Sequence, residues 1–537
     1  MSRSFRALDW VILALAATLM FVGLGSNSVQ NEDEARYALA AQDMLASGNW
    51  IEPTVQGWPW WNKAPLRVWT NAALGAAFGF DLWVIRLPSA LAGVAAIAMM
   101  LALGRSWGGV AVARWAALIL TTSTYFLYNH GARTGEMESL VILAWLTTLY
   151  GMTRARGDDR WVLVAAAALG LVGMTKHVTY MVPVGGVMLL FAWRSGALFS
   201  IRWRTWLIGA GIVLVIALPW HLTMIAKHPD FLSSYLGDQV VGRVQDHVEN
   251  EGSRWFPLRT LKDALFPWTL WIPFLVLARR RAETAVRGVD TTLGVWILGM
   301  LAVTAASRFD LPWYLLPAAP AVALWIARGL AAQQVPLWTG IAASVLLMLS
   351  PTNVLDFDVV HTRAMWGGIG VQVLAALRGQ AVWWVQGAAA VLALVILIAP
   401  RNVPAARRLV WAVVVWGVFA SIHAAMPLRD AFTPSPLAEM VDTVRTHRAP
   451  VIVLREPETS ASDLLVYELR QDGVEYEVVA RDDPALATRL GAAWILAPFE
   501  TLDAFRTPDP SMIWSEFAAL PPRLEPPNTI PREAAPR

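Results

Sequence analysis

The chain contains no cysteine in 537 residues. That excludes disulfides and any thiolate metal site. Charge is nearly as scarce. Lys, Arg, Asp and Glu make up 15% of the sequence, where a soluble chain of this length carries about a quarter. Apolar residues fill 56% instead, and the mean hydropathy is +0.47. Apolar runs recur near the roughly 17 to 25 residues needed to cross a bilayer. These features exclude a soluble globular protein and point to an integral membrane protein surrounded by lipid. The pI of about 9.2 is no nucleic-acid signal, because the basic residues crowd short loops, where topology accounts for them.

Candidate spans fall at 9–26, 84–103, 110–128, 137–152, 161–174, 178–193, 205–225, 264–279, 289–306, 312–329, 336–349, 381–399 and 409–426. The opening Met1 to Arg6 followed by residues 9–26 reads as a signal anchor, since no small-x-small cleavage site follows it. With every span in place, Arg3 to Arg6, Arg105, Arg154 to Arg160, Arg194 to Arg204, Arg279 to Arg287, Arg328 and Arg401 to Arg408 share one side. The positive-inside rule makes that side cytoplasmic, N-terminus included. Loops 27–83, 129–136, 226–263, 307–311 and 350–380 and the C-terminal tail then face outward. Of the 29 tryptophans, Trp10, Trp83, Trp107, Trp161, Trp268, Trp271 and Trp313 sit at segment ends, as interfacial anchors do. The expected fold class is an all-α polytopic membrane protein with long outer loops and a small C-terminal α/β domain.

The division is residues 1–429 for the membrane part, 430–520 for the small outer domain and 521–537 for a proline-rich, disordered tail. In the outer domain, Pro450 to Leu454, Val474 to Val479 and Ala493 to Ala497 read as strands. Ala461 to Gln471 and Ala485 to Leu490 read as helices. No nucleotide-binding glycine loop is present there. In the first outer loop, Glu34 to Ala46 reads as an amphipathic helix along the outer surface, stopped by Gly48, and Thr70 to Phe80 as a second helix.

Three polar clusters stand out against this apolar background. Asn31-Glu32-Asp33-Glu34-Ala35-Arg36-Tyr37 places four charged groups within seven residues, just past the first span. Either it is a solvated loop, or a carboxylate in it serves as general base toward an acceptor hydroxyl or amine. The second cluster, Tyr128 to Glu138, carries Arg133, Glu136 and Glu138. Glu138 stands at the threshold of a span, where an ionised group is costly unless solvated or paired, and Arg133 is near enough in sequence to pair with it. The third is basic: Lys63, Lys176 and Arg308 map to the outer side, against the positive-inside tendency. Outer cations near the membrane either snorkel to the interface or bind a phosphate headgroup. Loop 226–263 adds Arg243, His247 and other polar groups. No cofactor is established; His221, His228 and His247 leave room for a divalent ion, but their spacing matches no tight motif.

Laid end to end, these pieces resemble the bacterial polyprenyl-phosphate-dependent membrane glycosyltransferases of the GT-C architecture, in particular the aminoarabinose transferases that modify lipid A and, more distantly, the protein O-mannosyltransferases. The family pattern is Asp-Glu-x-Arg-Tyr-Ala, then Met-Leu-x-Ser-Gly-Asp-Trp, x-Pro-x-x-x-Gly and Tyr-Phe-Glu-Lys-Pro-Pro. Here the order reads Asp33 to Ala38, Met44 to Trp50, Glu52-Pro53 to Gly57, and Trp60-Trp61-Asn62-Lys63-Ala64-Pro65. Thr175-Lys176 resembles the family's Thr-Lys-Gly, and Tyr314 to Pro320 its Tyr-Leu-Leu-Pro-x-x-Pro. The resemblance covers residues 1 to about 330. Three positions depart from it: Asn62 for glutamate, Ala64 for proline and His177 for glycine.

The resemblance implies an enzyme that moves a sugar from a polyprenyl-phosphate donor to a glycolipid, envelope glycan or protein hydroxyl, on the outer face of the inner membrane. It implies Asp33 as the main catalytic carboxylate with Glu34 in support, and Glu136 or Glu138 as the second-loop acid. Arg36, Tyr37, Lys63, Arg133, Lys176, Arg243, His247, Arg308 and Tyr314 would contact the donor, chiefly its lipid phosphate. A flippase for a lipid-linked sugar and a non-catalytic lipid-sugar-binding relative are the alternatives. Against the flippase, few charges lie at mid-span and no pair of broken-helix repeats is visible.

Overall fold

Residues 82–121 are apolar over too great a length for one crossing, and Gly109 supplies the corner. In the computed structural model helix α4 runs Leu82–Thr121, 40 residues, or about 60 Å at 1.5 Å per residue, against a hydrocarbon core of roughly 30 Å. Gly109 breaks it with φ +86°, a conformation glycine adopts without steric cost. Gly104 on the first arm lies so close to Ala113 on the second that an added Cβ would sit 2.7 Å from the Ala113 Cα. The stretch where two crossings are expected therefore folds as two apolar arms of unequal length meeting in a tight hairpin.

The structure describes residues 7–25, 29, 32–128, 130–242, 256–265, 268–272, 275–276, 283–284, 286–306, 311–332, 436–446, 449–455, 461–480, 493–498, 513–514 and 517–520. The expected spans 336–349, 381–399 and 409–426 and the tail 521–537 lie outside these residues, as do Arg243, His247 and Arg308. The described residues form two compact units, one from 7–25 and 40–332, the other from 29–39 and the tail beyond 436.

In the first unit α1 is Ala7–Phe21, followed by α2 Glu32–Ser47, whose first eight residues belong to the second unit. A small hairpin, β1 Thr54–Val55 with β2 Trp58–Pro59, leads to α3 Leu66–Phe78. After α4 come α5 Thr124–Tyr128, α6 Glu138–Ala155, α7 Trp161–Thr175, α8 Met181–Ser195, α9 Ala197–Ser200 and α10 Trp203–Lys227. Helices Val289–Ala306 and Ala319–Ala331 follow. Helix α4 packs on α1, α6 and helix Ala319–Ala331, and α7 lies against α6 and α10. Among the described residues five helices are long and apolar enough to cross a membrane: Leu82–Thr121, Val178–Ser195, Trp203–Lys227, Val289–Ala306 and Pro312–Ala331. This is a multi-pass membrane protein.

Several expectations are corrected. The span expected at 110–128 ends at Thr121, and α5 is a separate short helix. Thr122 and Ser123 stand at the break, their hydroxyls donating to the Leu118 and Ile119 carbonyls at 2.8 and 2.6 Å. Spans expected from 178 and 312 open as 3-10 turns, Val178–Tyr180 and Pro312–Ala318. Helix α2 does not lie on a surface: Ala35, Tyr37 to Ala41 and Met44 are buried along it. Trp107 and Trp268 are not interfacial anchors. Both are 1% exposed, donating to Thr153 Oγ1 at 2.9 Å and to Thr122 Oγ1 at 2.8 Å. Trp10 and Trp83 are exposed, as anchors would be.

In the second unit, β3 Val451–Arg455, β4 Glu477–Ala480, β5 Trp494–Pro498, β6 Ile513–Trp514 and β7 Phe517–Leu520 form one sheet in the order β4-β3-β5-β7-β6. β3 runs parallel to β4 and β5, and β7 antiparallel to β5 and β6. Helix Ala461–Gln471 connects the parallel pair β3 and β4, and buries Leu465, Val466, Tyr467 and Leu469.

The Gly109 corner is held electrostatically. Asp9 on α1, wholly buried, pairs with Arg105 before the corner and with Arg114 after it, the latter at 2.9 Å from Nε. Removing the shared carboxylate leaves two half-buried guanidinium groups without their counter-ion. Asp9→Asn is expected to lower stability by about 3–5 kcal/mol. Thermal unfolding of the detergent-solubilised chain measures this, and an unchanged midpoint would refute it.

Candidate active site

Helix α7 ends on Thr175, and the next three residues make a turn that a run of apolar text does not predict. Lys176 closes the helix, its N–H bonding the Val172 carbonyl at 3.4 Å. His177 is extended and caps the following 3-10 turn, its Nδ1 accepting from the Thr179 N–H at 3.3 Å. That donation requires the proton on Nε2, which points at the Tyr235 carbonyl at 2.7 Å. The imidazole also stacks on the Tyr235 ring, centroids 3.9 Å apart. Tyr235 accepts in turn from the Val178 N–H at 3.1 Å and meets His221 Nε2 at 3.0 Å. His221 Nδ1 contacts the Ala217 carbonyl at 2.6 Å, so both its ring nitrogens are engaged within the fold. Among the described residues no group of three His, Asp or Glu side chains is placed to hold a metal ion.

The second acidic loop is fixed by backbone contacts. Gly131 has no room for a side chain, since a Cβ there would lie 2.2 Å from the Phe126 oxygen. Ala132 and Arg133 donate back to the Phe126 and Leu127 carbonyls at 2.7 and 2.9 Å. Buried Arg67 on α3 donates to the Gly135 carbonyl at 3.0 Å and to that of Ile85 at 2.6 Å, and Ser89 donates to the Glu136 carbonyl at 2.6 Å. Arg133 does not pair with the glutamates. Its guanidinium donates to the carbonyls of Leu19 and Gly23 at the end of α1, at 2.5 and 3.2 Å, satisfying orphan acceptors there. The sequence-based pairing of Arg133 with Glu138 is thus corrected.

The partner of Glu138 is Lys176. Glu138 opens α6 at 2% exposure and Lys176 is 5% exposed. Lys176 Nζ donates to Glu138 Oε1 in a short ion pair, and Glu138 Oε2 takes the Met137 N–H at 3.2 Å. His130 Nδ1 stands 3.9 Å from the same oxygen and stacks on Trp313 at 3.8 Å. The Lys176 ammonium lies over the Tyr180 and Tyr314 rings, 5.0 and 5.2 Å from their centroids, within cation–π range. Burial opposes this charge, but the Glu138 carboxylate and Tyr180 outweigh it and hold the lysine above its ordinary pKa. The segment after the β1–β2 hairpin reaches the same turn, where the Ala64 N–H donates to the Lys176 carbonyl at 3.2 Å. Lys63, half-buried, is next to that bond in the chain.

The sequence candidates therefore fall into two groups. Lys63, Arg133, Glu136, Glu138, Lys176 and Tyr314 lie in the first unit. Of these, Glu138, Lys176 and Tyr314 meet directly. Glu136 is buried one residue from α6. Asp33, Glu34, Arg36 and Tyr37 lie in the second unit, on the first turns of α2. Glu34 and Tyr37 are buried there. Arg36 Nη1 is 3.9 Å from Asp33 Oδ1, and Arg36 Nε donates to Asp463 Oδ2 at 2.9 Å. Sequence reasoning missed His130, Tyr180, Trp313 and Asp463. The first lies inside a cluster already singled out. Asp463 carried a fainter signal, an acid one helical turn from Val466 and Tyr467 on the apolar face of its helix.

Two of the three departures from the family pattern meet at this turn. Proline has no N–H, so Ala64 makes a bond to Lys176 that the family residue could not make. Glycine has no ring, so the ties of His177 to Thr179 and Tyr235 are also additions. Restoring the pattern with Ala64→Pro is expected to cost about 1 kcal/mol, and His177→Gly about 1–3 kcal/mol because it strips a half-buried N–H and a buried carbonyl of their partners. Thermal unfolding of each variant tests this, and an unaltered midpoint for His177→Gly would contradict it.

Residues 62–222 match the family model described as dolichyl-phosphate-mannose-protein mannosyltransferase. The undecaprenyl phosphate-alpha-4-amino-4-deoxy-L-arabinose arabinosyl transferase 2 of Pseudomonas fluorescens is 26% identical over 60% of this chain and 59% of its own length. The corresponding transferase of Pseudomonas aeruginosa (strain UCBPP-PA14) is 28% identical over 60% of each chain. The chain thus matches about three fifths of the length of these curated relatives. The crystal structure of ArnT from Cupriavidus metallidurans bound to undecaprenyl phosphate superposes with a TM-score of 0.74 at 19% identity, covering 96% of this chain and 98% of that one. The chain shares the fold of that ArnT structure, and residues 62–222 match the mannosyltransferase family model, in line with the resemblance its motifs announced.

Proposed function

We propose that this chain transfers a sugar from a polyprenyl-phosphate donor to an acceptor hydroxyl or amine of a glycolipid such as lipid A, an envelope glycan or a protein. The observation that carries the reading is the buried Glu138–Lys176 pair, set at the turn joined to the Trp60–Pro65 motif through Ala64. In this reading the ammonium that Glu138 keeps charged in a dry setting is the cation that also meets an incoming anion. A polyprenyl phosphate is such an anion. It is also a stable leaving group, so its departure needs charge stabilisation more than protonation.

In the proposed reaction the bond from the anomeric carbon to the phosphate oxygen breaks, and the acceptor oxygen or nitrogen forms the new bond. The acceptor proton passes to Asp33, with Glu34 supporting the loop. Lys176 steadies the developing phosphate charge, helped by Lys63 and by Tyr314, whose ring flanks the ammonium. Glu138 is the second-loop acid in this reading, because it rather than Glu136 holds Lys176. The roles of Arg243, His247 and Arg308 at the phosphate are part of the same proposal. So is the topology of thirteen spans in the inner membrane, N-terminus cytoplasmic and residues 430–520 extracytoplasmic. The energy for transfer resides in the lipid-phosphate linkage, and no nucleotide is needed outside the cell.

Asp33→Asn is expected to insert normally, bind undecaprenyl phosphate as the wild type does, and lose at least about a hundredfold in transfer, the lower end of a general base's usual contribution. Lys176→Met is expected to weaken undecaprenyl phosphate binding instead. Mass analysis of envelope glycolipids, glycans and glycoproteins from cells making each variant would show the missing sugar and its acceptor. Full product with Asp33→Asn would refute the assignment. Movement of a lipid-linked sugar across liposomes without any glycosylated product would favour the flippase reading.

A further inference from the structure

The motif that carries Asp33 is gripped by the tail of the chain. Residues 29–39 belong to the same compact unit as the described residues from 436 onward. Within that unit Arg36 reaches Asp463, 427 positions away, with Nε 2.9 Å from Oδ2. The Asp463 side chain is 3% exposed and that of Arg36 20%. The other edge of the guanidinium faces Asp33, whose side chain is 36% exposed and 3.9 Å distant. One arginine therefore stands between two carboxylates, close to the buried one and loose to the exposed one.

Geometry explains the asymmetry. Arg36 lies one helical turn after Asp33 on α2, where side chains three residues apart are neighbours. Asp463 approaches from helix Ala461–Gln471, in its first turn, where the helix dipole favours a carboxylate. A guanidinium is planar and donates along fixed directions. Once Nε is committed to Asp463, the plane of the group is set and Nη1 cannot close fully on Asp33. Freed from Asp463, Arg36 could turn and clamp Asp33, making that carboxylate a weaker base.

We propose that Asp463 is a positioning residue for transfer: it holds Arg36 back from Asp33, so that Asp33 keeps its basicity and its place on α2. The C-terminal α/β unit thereby becomes a working part of the catalytic motif rather than an appendage. This rests on the glycosyltransferase reading given above. It reassigns Arg36 from contact with the donor to control of the catalytic acid.

The absence of cysteine makes the contact directly testable. Arg36→Cys with Asp463→Cys in the full-length chain, treated in membranes with a short bis-methanethiosulfonate, is expected to give a linked peptide pair by mass spectrometry, absent from either single variant. Asp463→Asn is expected to lower the timed accumulation of glycosylated envelope product about tenfold or more while binding of undecaprenyl phosphate to the purified chain stays within about twofold of wild type, since loss of a positioned base acts on the rate. Asp463→Glu, which restores the charge, is expected to recover at least about half of the product. Three results would each overturn the proposal: no cross-link, wild-type product with Asp463→Asn, or parallel loss of product, undecaprenyl phosphate binding and thermal midpoint, which marks a merely structural role. Wild-type cells that make no glycosylated product would sink the glycosyltransferase reading itself. Product in the wild type with an indifferent Asp463→Asn would sink only the positioning role.

Discussion

The rest of the structure is arranged around the cost of burying charge. In a chain with 15% charged residues, each ionised side chain placed away from water must be met by an opposite charge or by several backbone groups. The Glu138–Lys176 pair is the central instance. Glu138 begins α6 and Lys176 ends α7, so one contact fixes the relation of two adjacent helices at the end where the Tyr128–Glu138 and Trp60–Pro65 segments converge. Arg67 and Arg133 follow the same rule with neutral partners, each serving two backbone carbonyls. Asp9 follows it at the bend inside α4, between two arginines that straddle the Gly109 corner. Replacing such pairs by apolar side chains often costs nothing in stability. The gain from keeping them is therefore in specifying where elements meet and in leaving charge available where a ligand is to be bound.

Much of the helical framework was legible because apolar runs of bilayer length have few alternative fates. The spans at 161–174, 205–225 and 289–306 differ from the observed helices by three residues or fewer at either end. The amphipathic text of Glu34 to Ala46 forms α2, and Gly48 ends it with φ +69°. What escaped the sequence were effects of side-chain chemistry on the backbone. A run that hydropathy alone joins is divided at Thr122 and Ser123. The burial of Trp107 and Trp268 was also hidden, because an indole at a segment end looks the same whether it faces headgroups or a threonine hydroxyl.

The site was legible as a list and less so as an arrangement. Motif order named Glu138 and Lys176 separately, but they are 38 positions apart, and only the fold makes them a pair. Arg133, nearer in sequence, was the natural guess for the carboxylate's partner. It is drawn instead to the end of α1, where a helix leaves carbonyls without intrahelical donors. Nearness in sequence is a weak guide for arginine, whose long side chain and five donors let it serve distant acceptors. Arg36 makes the same point over a much longer interval.

The departures from the family pattern bear on this arrangement too. Taken from sequence, Ala64 and His177 look like losses of a rigid proline and a permissive glycine, and they raise the question of whether the lysine turn is intact. The structure gives them the opposite sense. Ala64 contributes an N–H to the Lys176 carbonyl. His177 ties the turn to Tyr235, and Tyr235 to Val178 and His221. Rigidity that proline would supply through a fixed φ is supplied here by hydrogen bonds across elements. A covalent restraint acts whether or not the chain is folded, whereas these bonds exist only once α10 and the segment after it have packed. The lysine turn of this chain is thus set by tertiary structure, and residues as far as Tyr235 belong to the apparatus that holds Lys176.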